Sequence, residues 1–409
     1  MAPTVSFWDC GEFIACSYIL GVPHPPGTPL FILIGRVFTL LPLFGSIAPR
    51  VNFISVLSSA LTVWLAYLLI VRIAGHLLRG KESASGGWTK IAGYVGGISG
   101  SLFLGFSRTY WSNAVEAEVY GVAMFMMVLI AYLGLLWLER KGEPGSDRLL
   151  VLIGFLGMIS IGVHMTVFLI MPAIFLLVIL EDKDKLKDIR FWVSGIILSL
   201  VMFTLVPFLI SLFLWLLISF VFWQLNPNSR GWNFVFALIL FAVIGYTVQL
   251  YIPIRSRLEP AIDENDPNNW TSFRYFLERK QYGQVSMVDR MFTRRGSWAN
   301  QLGVHERMGF WGFFREQYLD RSLWIIPILL GFLGVLESIR RLKGVGWILL
   351  FLILVSSIGL VLYLNFGDGT RANPVTGEIE RLEVRDRDYF FTPAFVFFAL
   401  VMGLGISRV

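Results

Sequence analysis

The chain has 409 residues, 56% of them hydrophobic and 15% charged, with a mean hydropathy of +0.68. Soluble domains carry about 25% charged residues, so a soluble globular protein is excluded and an all-α polytopic membrane protein is expected. The net charge of +6 is read through the positive-inside rule before any appeal to nucleic acid, and no nucleic-acid partner is expected.

In chain order, the first feature is WDCGEF at 8–13. It sets Asp9 and Glu12 three residues apart, so on a helix both carboxylates share one face, close enough to interact and suited to general-base work. A helix N-terminus, which favours acidic residues, accounts for the same pattern. Cys10 and Cys16 would point about 240° apart on that helix, which argues against a disulfide between them. Polar residues stand where the apolar core of a cleavable signal peptide would lie, so none is expected. HPPGTP follows at 24–29. Its proline pair fixes φ twice, removes two backbone donors and pushes His24 toward an extended conformation. That is either a plain entry into a helix or a rigid platform holding His24 beside the carboxylates. The amphipathic stretch 29–44 reads as an interfacial or re-entrant element.

Apolar segments then fall at roughly 51–73, 91–107, 119–138, 149–163, 165–180, 192–224, 233–254, 322–339, 346–365 and 391–407. The 192–224 run is too long for one crossing and contains Pro207, so it is expected to split there, giving about eleven transmembrane helices. Four basic loops set the orientation: Arg72, Arg79, Lys81 and Lys90; Arg140, Lys141 and Arg148; Lys183, Lys185, Lys187 and Arg190; Arg340, Arg341 and Lys343. With these inside, the unusual polar stretches all fall on the extracytoplasmic face. Three divisions follow: a transmembrane module 1–254 with a first external loop at 1–50, a cap segment 255–320, and C-terminal helices 321–409 with an external loop at 366–390.

Among those polar stretches, SNAVEAEVY (112–120) offers Glu116 and Glu118. Read as helical, they diverge by about 200°, so one faces inward, and Glu118 is the candidate. A central carboxylate in the membrane costs about 2.5–3.5 kcal/mol. His164 interrupts two apolar runs, where a packing role is commoner than catalysis. In VRDRDYF, Arg385 and Arg387 carry guanidinium forks suited to phosphate, with Asp386 and Asp388 as competing partners. No closed metal site is visible in the spacing.

Together these residues resemble a family signature. TVSFWDCGEFI…GVPHPPGTPLF is similar to the domain of unknown function 2723, grouped as glycosyltransferase family 117, whose animal members are protein O-mannosyltransferases and whose many other members are bacterial. The similarity continues through RVNFISVLSSALTVWLAYLL, WSNAVEAEVYG, the GVH turn, IRSRLEPAIDENDPNN…ERKQYG and EVRDRDYFFTP. It implies a glycosyltransferase-C-like helical bundle in a bacterial inner membrane, with its catalytic loop on the extracytoplasmic side. Family members carry a transmembrane helix just before the WDCGE loop, and many carry a C-terminal extension, so against that family the chain is expected to be either truncated or misassigned at its start and to lack the extension.

The same resemblance implies transfer of a sugar, mannose in the animal relatives, from a polyprenyl-phosphate donor to a protein or glycan hydroxyl. Asp9 would be the base, with Glu12 orienting it or sharing the role. His24, Glu118 and His164 would position sugar or acceptor, and Arg385 and Arg387 would hold the phosphate. One base and a direct displacement imply inversion at the anomeric carbon. No cofactor is implied, since the lipid-linked sugar is a substrate, and dependence on a divalent cation stays open. A lipid or sugar transporter predicts midplane polar residues in paired repeats, and a non-catalytic scaffold predicts loss of the carboxylates; both fit these residues less well.

Overall fold

The computed structural model describes residues 1–78, 86–283, 287–318, 323, 325–372, 376–382 and 385–409. Arg79 and Lys81, used above for orientation, lie outside them. The regular elements among the described residues are helices apart from one antiparallel hairpin, in which Thr370–Ala372 pairs with Ile379–Arg381. Six helices are long and apolar enough to cross a membrane: Ile47–Leu78, Val119–Glu139, Leu205–Leu225, Arg230–Ser256, Lys343–Leu364 and Asp388–Ile406. The chain is therefore an integral membrane protein. Four further apolar helices are shorter: Cys10–Ile19, Pro29–Leu40, Met165–Glu181 and Ile189–Met202. By length and apolarity the described residues thus supply six spans where eleven were expected.

The long apolar run does divide. One helix stops at Met202 and the next opens at Leu205, with Thr204 extended between them (φ −156°, ψ 127°). Pro207 lies in the first turn of the new helix, where its missing N–H breaks no internal hydrogen bond. The break therefore falls three residues before the proline that causes it.

The chain forms two compact units, Met1–Ser59 with Ala114–Gln284, and Ala60–Asn113 with Val285–Val409. In the first, the helix Asp147–Ser160 packs on Arg230–Tyr246 and on Val119–Glu139. Met158, Phe168, Phe208, Val235 and Ile239 form part of its buried core. Leu205–Leu225 buries only 22% of its most apolar window, as suits a helix that faces lipid, whereas Val119–Glu139 buries 72%. Every backbone group at that depth needs a partner inside the chain, so helices are the only spanning solution here.

In the second unit the helices Gly86–Gly105 and Ile325–Arg341 both pack on Thr392–Ile406. Glycines make the close approach possible. A Cβ on Gly100 would lie 2.8 Å from Gly403 Cα and 2.9 Å from the Ala399 carbonyl oxygen, and one on Gly403 would lie 2.7 Å from the Gly96 carbonyl oxygen. Small residues at such contacts are how membrane helices gain dispersion energy without a hydrophobic drive. Gly100→Leu is expected to force these helices apart and to destabilise the protein by about 1–3 kcal/mol. Thermal unfolding in detergent reads this as a lowered midpoint.

Candidate active site

The first unit gathers the N-terminal motifs. The helix Cys10–Ile19 begins at Asp9, whose carbonyl accepts from Phe13 N–H at 3.0 Å, and Glu12 occupies its first turn. The carboxylates do sit at a helix N-terminus, as the plainer reading of WDCGE requires. Glu12 nevertheless has a second role. Its Oε1 accepts from the His24 main-chain N–H at 2.8 Å, and its Oε2 lies 2.5 Å from His24 Nδ1. The proline turn thus presents His24 to Glu12 through both backbone and side chain, with the Phe13 ring 5.7 Å from the imidazole. Burial opposes the imidazolium. The hydrogen bond and charge of Glu12 and the charge of Asp9 outweigh that effect and the nearby Arg279, and His24 is held above its ordinary range.

Backbone contacts then tie the motifs to one another. Gly162 of the GVH turn accepts from Leu30 N–H at 2.7 Å, at the start of the helix Pro29–Leu40 that HPPGTP opens. Gly27 (φ 82°) seats against Phe276 and Ile252; a Cβ there would lie 2.9 Å and 3.0 Å from their side chains. At the other end of the first helix, Arg255 Nε donates to the Leu20 carbonyl at 2.8 Å, and the Tyr251 hydroxyl donates to the Gly21 carbonyl at 2.9 Å. Val22 forms a parallel bridge with Asp263, through Val22 N–H to Ile262 O (2.9 Å) and Glu264 N–H to Val22 O (3.0 Å). The loop before Asp9 is anchored as well, by Asn52 Nδ2 donating to the carbonyls of Ala2 (2.9 Å) and Thr4 (3.1 Å).

Glu116 and Glu118 behave differently from the helical reading. Residues 115–117 are bends, and the helix starts only at Val119, with Glu118 extended at its N-cap (φ −121°, ψ 147°). The divergence of a helical wheel therefore does not apply to this pair. Glu118 is 8% exposed and its Oε1 lies 3.8 Å from the Cys10 thiol, while Ser55 Oγ donates to its carbonyl at 3.0 Å. Burial also raises Glu116, against hydrogen bonds from Ser6 and Cys10. Both glutamates thus approach the start of the first helix, and Glu116 is the residue that the motif reading missed.

His164 caps the short 3-10 turn Met165–Leu169. Its Nδ1 accepts from Thr166 N–H at 3.2 Å, and its ring lies 5.0 Å from that of Tyr120. Burial, then the charges of Arg279 and His24, push it down to about 3, so it stays neutral. Arg385 and Arg387 belong to the second unit, and Glu383 and Val384 of that motif lie outside the described residues. Both guanidinium groups donate to the Tyr389 hydroxyl oxygen, from Arg385 Nε at 2.9 Å and Arg387 Nη1 at 2.8 Å. Among the described residues no three His, Cys, Asp or Glu side chains gather as metal ligands.

Residues 9–187 match the Protein O-mannosyl-transferase TMEM260 N-terminal domain. This part of the chain is similar to the TMEM260 proteins. The matched stretch opens at Asp9 and includes Glu12, His24, Glu116, Glu118 and His164, so the family resemblance carried by WDCGE and HPPG is borne out. The mouse (Mus musculus) Protein O-mannosyl-transferase TMEM260 is 34% identical over 125 residues, 30% of this chain and 15% of that protein. The Dictyostelium discoideum Protein O-mannosyl-transferase tmem260 is 25% identical over 248 residues, 56% of this chain and 26% of that protein. The chain thus spans about a quarter, or less, of the length of these curated relatives. Among solved structures, the archaeal oligosaccharyltransferase AglB from Archaeoglobus fulgidus, in complex with an inhibitory peptide and a dolichol-phosphate, aligns over 99% of this chain and 47% of its own, with 12% identity and a TM-score of 0.46.

The Glu12–His24 pair carries a pH signature. Because the folded-state value of His24 is raised, the pair's stabilisation is complete below the ordinary imidazole value of 6.5 and is lost as pH rises through the raised one. The thermal midpoint of the detergent-solubilised protein is expected to fall across that window, and His24→Gln is expected to abolish the step. A wild-type midpoint that shows no step there would count against an ionic pair.

Proposed function

We propose that the chain is a membrane glycosyltransferase that moves a sugar from a polyprenyl-phosphate donor to an acceptor hydroxyl. The observation that carries this reading is the pairing of Glu12 with His24 one helical turn from Asp9, inside the stretch matched by the TMEM260 N-terminal domain. The names of the relatives favour mannose as the sugar and a protein hydroxyl as the acceptor.

With both Glu12 oxygens directed to His24, Asp9 is the base and Glu12 the group that orients the turn. Asp9 removes the proton from the acceptor hydroxyl as the oxygen attacks the anomeric carbon. The bond from that carbon to the phosphate oxygen breaks, and the lipid phosphate leaves with the electron pair. A phosphate leaves readily without a dedicated acid, unlike the leaving group of a glycoside. Direct displacement with one base inverts the anomeric centre. Glu118 and His24 position sugar or acceptor and His164 lends a neutral imidazole, while the guanidinium forks of Arg385 and Arg387 suit the phosphate. In this reading the bundle is glycosyltransferase-C-like, the helices Gly86–Gly105, Asp147–Ser160, Met165–Glu181, Ile189–Met202 and Ile325–Arg341 bring the six long spans to eleven crossings, and the basic loops set the site on the extracytoplasmic face.

Asp9→Asn is expected to lower transfer from a polyprenyl-phosphate sugar by about 10²–10⁴-fold, with membrane insertion unchanged. Full transfer by both Asp9→Asn and Glu12→Gln would overturn the assignment. Arg387→Ala is expected to raise the donor KM more than it lowers kcat; steady-state kinetics over donor concentration separates the two.

A further inference from the structure

The second unit holds a basic cluster whose charge exceeds what its own acid can balance. Arg340 and Arg341 end the helix Ile325–Arg341, Lys343 opens the span Lys343–Leu364, and Arg408 lies two residues past the span Asp388–Ile406. The end of one span and the start of another place these cations at a single boundary of the membrane. Measured contacts join the arginines. Arg408 Nε lies 2.8 Å and Arg341 Nε 3.1 Å from Glu337 Oε2, and Arg340 Nη1 lies 3.7 Å from Glu337 Oε1. Lys343 is held beside them by a tight turn, in which Leu342 N–H donates to the Ser338 carbonyl at 2.8 Å and a Cβ on Gly346 would lie 2.2 Å from Ile339 N.

One carboxylate serves all four cations. Glu337 is the single acid in residues 325–354, and residues 392–409 contain none. Each guanidinium group has five N–H donors, and Glu337 takes only a fraction of them. Arg408 meets it through Nε, while Arg408 Nη1 is buried without a hydrogen-bond partner among the described residues. Arg340, Arg341 and Lys343 are exposed, so the cluster is reachable from the membrane boundary. Helix dipoles account for part of this pattern, because Arg340, Arg341 and Arg408 stand at or just past helix C-termini, where cations are favoured. They do not account for Lys343. It opens a helix, at the positive end, and no side chain caps that end with a negative group. An anion at this boundary would offset the excess charge of both helix ends.

We propose that Arg340 and Arg341, backed by the charge of Arg408 and flanked by Lys343, bind the phosphate of an anionic phospholipid at this boundary. The position at the ends of two spans selects a lipid headgroup over a soluble anion, and the surplus of cations selects a headgroup with net negative charge over a zwitterionic one. The site is independent of glycosyl transfer. Binding is read as the rise in thermal midpoint of the whole chain in dodecyl maltoside, titrated with phosphatidylglycerol, phosphatidylcholine or inorganic phosphate. Phosphatidylglycerol is expected to raise the wild-type midpoint at concentrations where the other two leave it unmoved. Equal stabilisation by phosphatidylcholine would overturn the proposal, and so would equal stabilisation by inorganic phosphate, which would mark a site for a free anion. Arg408→Gln would strip a buried carboxylate of a partner and confound folding with binding, so the exposed cations are substituted instead. Arg340→Gln with Lys343→Gln leaves Glu337 its contacts to Arg341 and Arg408, and its midpoint without lipid is expected to match wild type. This variant is expected to bind phosphatidylglycerol about ten- to thirtyfold more weakly, at about fivefold for each Lys or Arg near an anionic surface. Arg340→Lys with Lys343→Arg, which keeps both charges, is expected to bind as wild type does. Unchanged phosphatidylglycerol binding in the glutamine variant, or an equal loss in the charge-conserving one, would sink the assignment.

Discussion

The contact between Glu12 and His24 governs the geometry of the first unit. It joins two segments that would otherwise be independent, a helix start and a proline turn, by a backbone bond and a side-chain bond to the same carboxylate. The carboxylate restrains the turn in translation through the main-chain N–H and in rotation through the imidazole. Once His24 is fixed, Gly27 is delivered to Phe276 and Leu30 to the Gly162 carbonyl, so the later motifs inherit their placement from this pair. A charge-assisted hydrogen bond in a partly buried setting is among the stronger polar contacts a protein makes. The side-chain half of the contact depends on the protonation of His24, which Glu12 favours.

Around that pair, backbone groups are satisfied by distant parts of the chain. The carbonyls at the end of the first helix receive Arg255 and Tyr251, and Val22 exchanges hydrogen bonds with the segment around Asp263. Such bonds matter more in an apolar protein, where unpaired backbone groups have little water to fall back on. Residues with left-handed backbones mark the same region: Trp8 (φ 61°) and Leu20 (φ 56°) flank the first helix, and Thr28 (φ 37°) opens the second. Each of these conformations is strained for a residue with a Cβ, and each persists because neighbouring contacts over-determine it.

The second unit uses a different device. Its central helix, Thr392–Ile406, is approached by glycine-bearing faces of two other helices, and main-chain atoms meet at distances that exclude any side chain. Glu337, 8% exposed, binds Arg341 Nε at 3.1 Å and Arg408 Nε at 2.8 Å, joining the helix Ile325–Arg341 to the end of that central helix. Dispersion at close range and a buried ion pair here do what apolar burial does in a soluble core.

Membrane residence, helical class and the split of the long apolar run were legible in the sequence, because hydropathy and proline chemistry act locally and leave a local record. So was the family resemblance carried by WDCGE and HPPG, which the match over residues 9–187 bears out. What the sequence did not decide was pairing. Asp9 and Glu12 share a helix face at i and i+3, and only the fold shows that Glu12 closes onto His24. Glu116 was set aside on a helical periodicity that the bends before Val119 do not obey. Sequence fixes which groups a chain possesses and the period in which they repeat, whereas hydrogen bonds between residues more than a hundred positions apart exist only once the chain has closed.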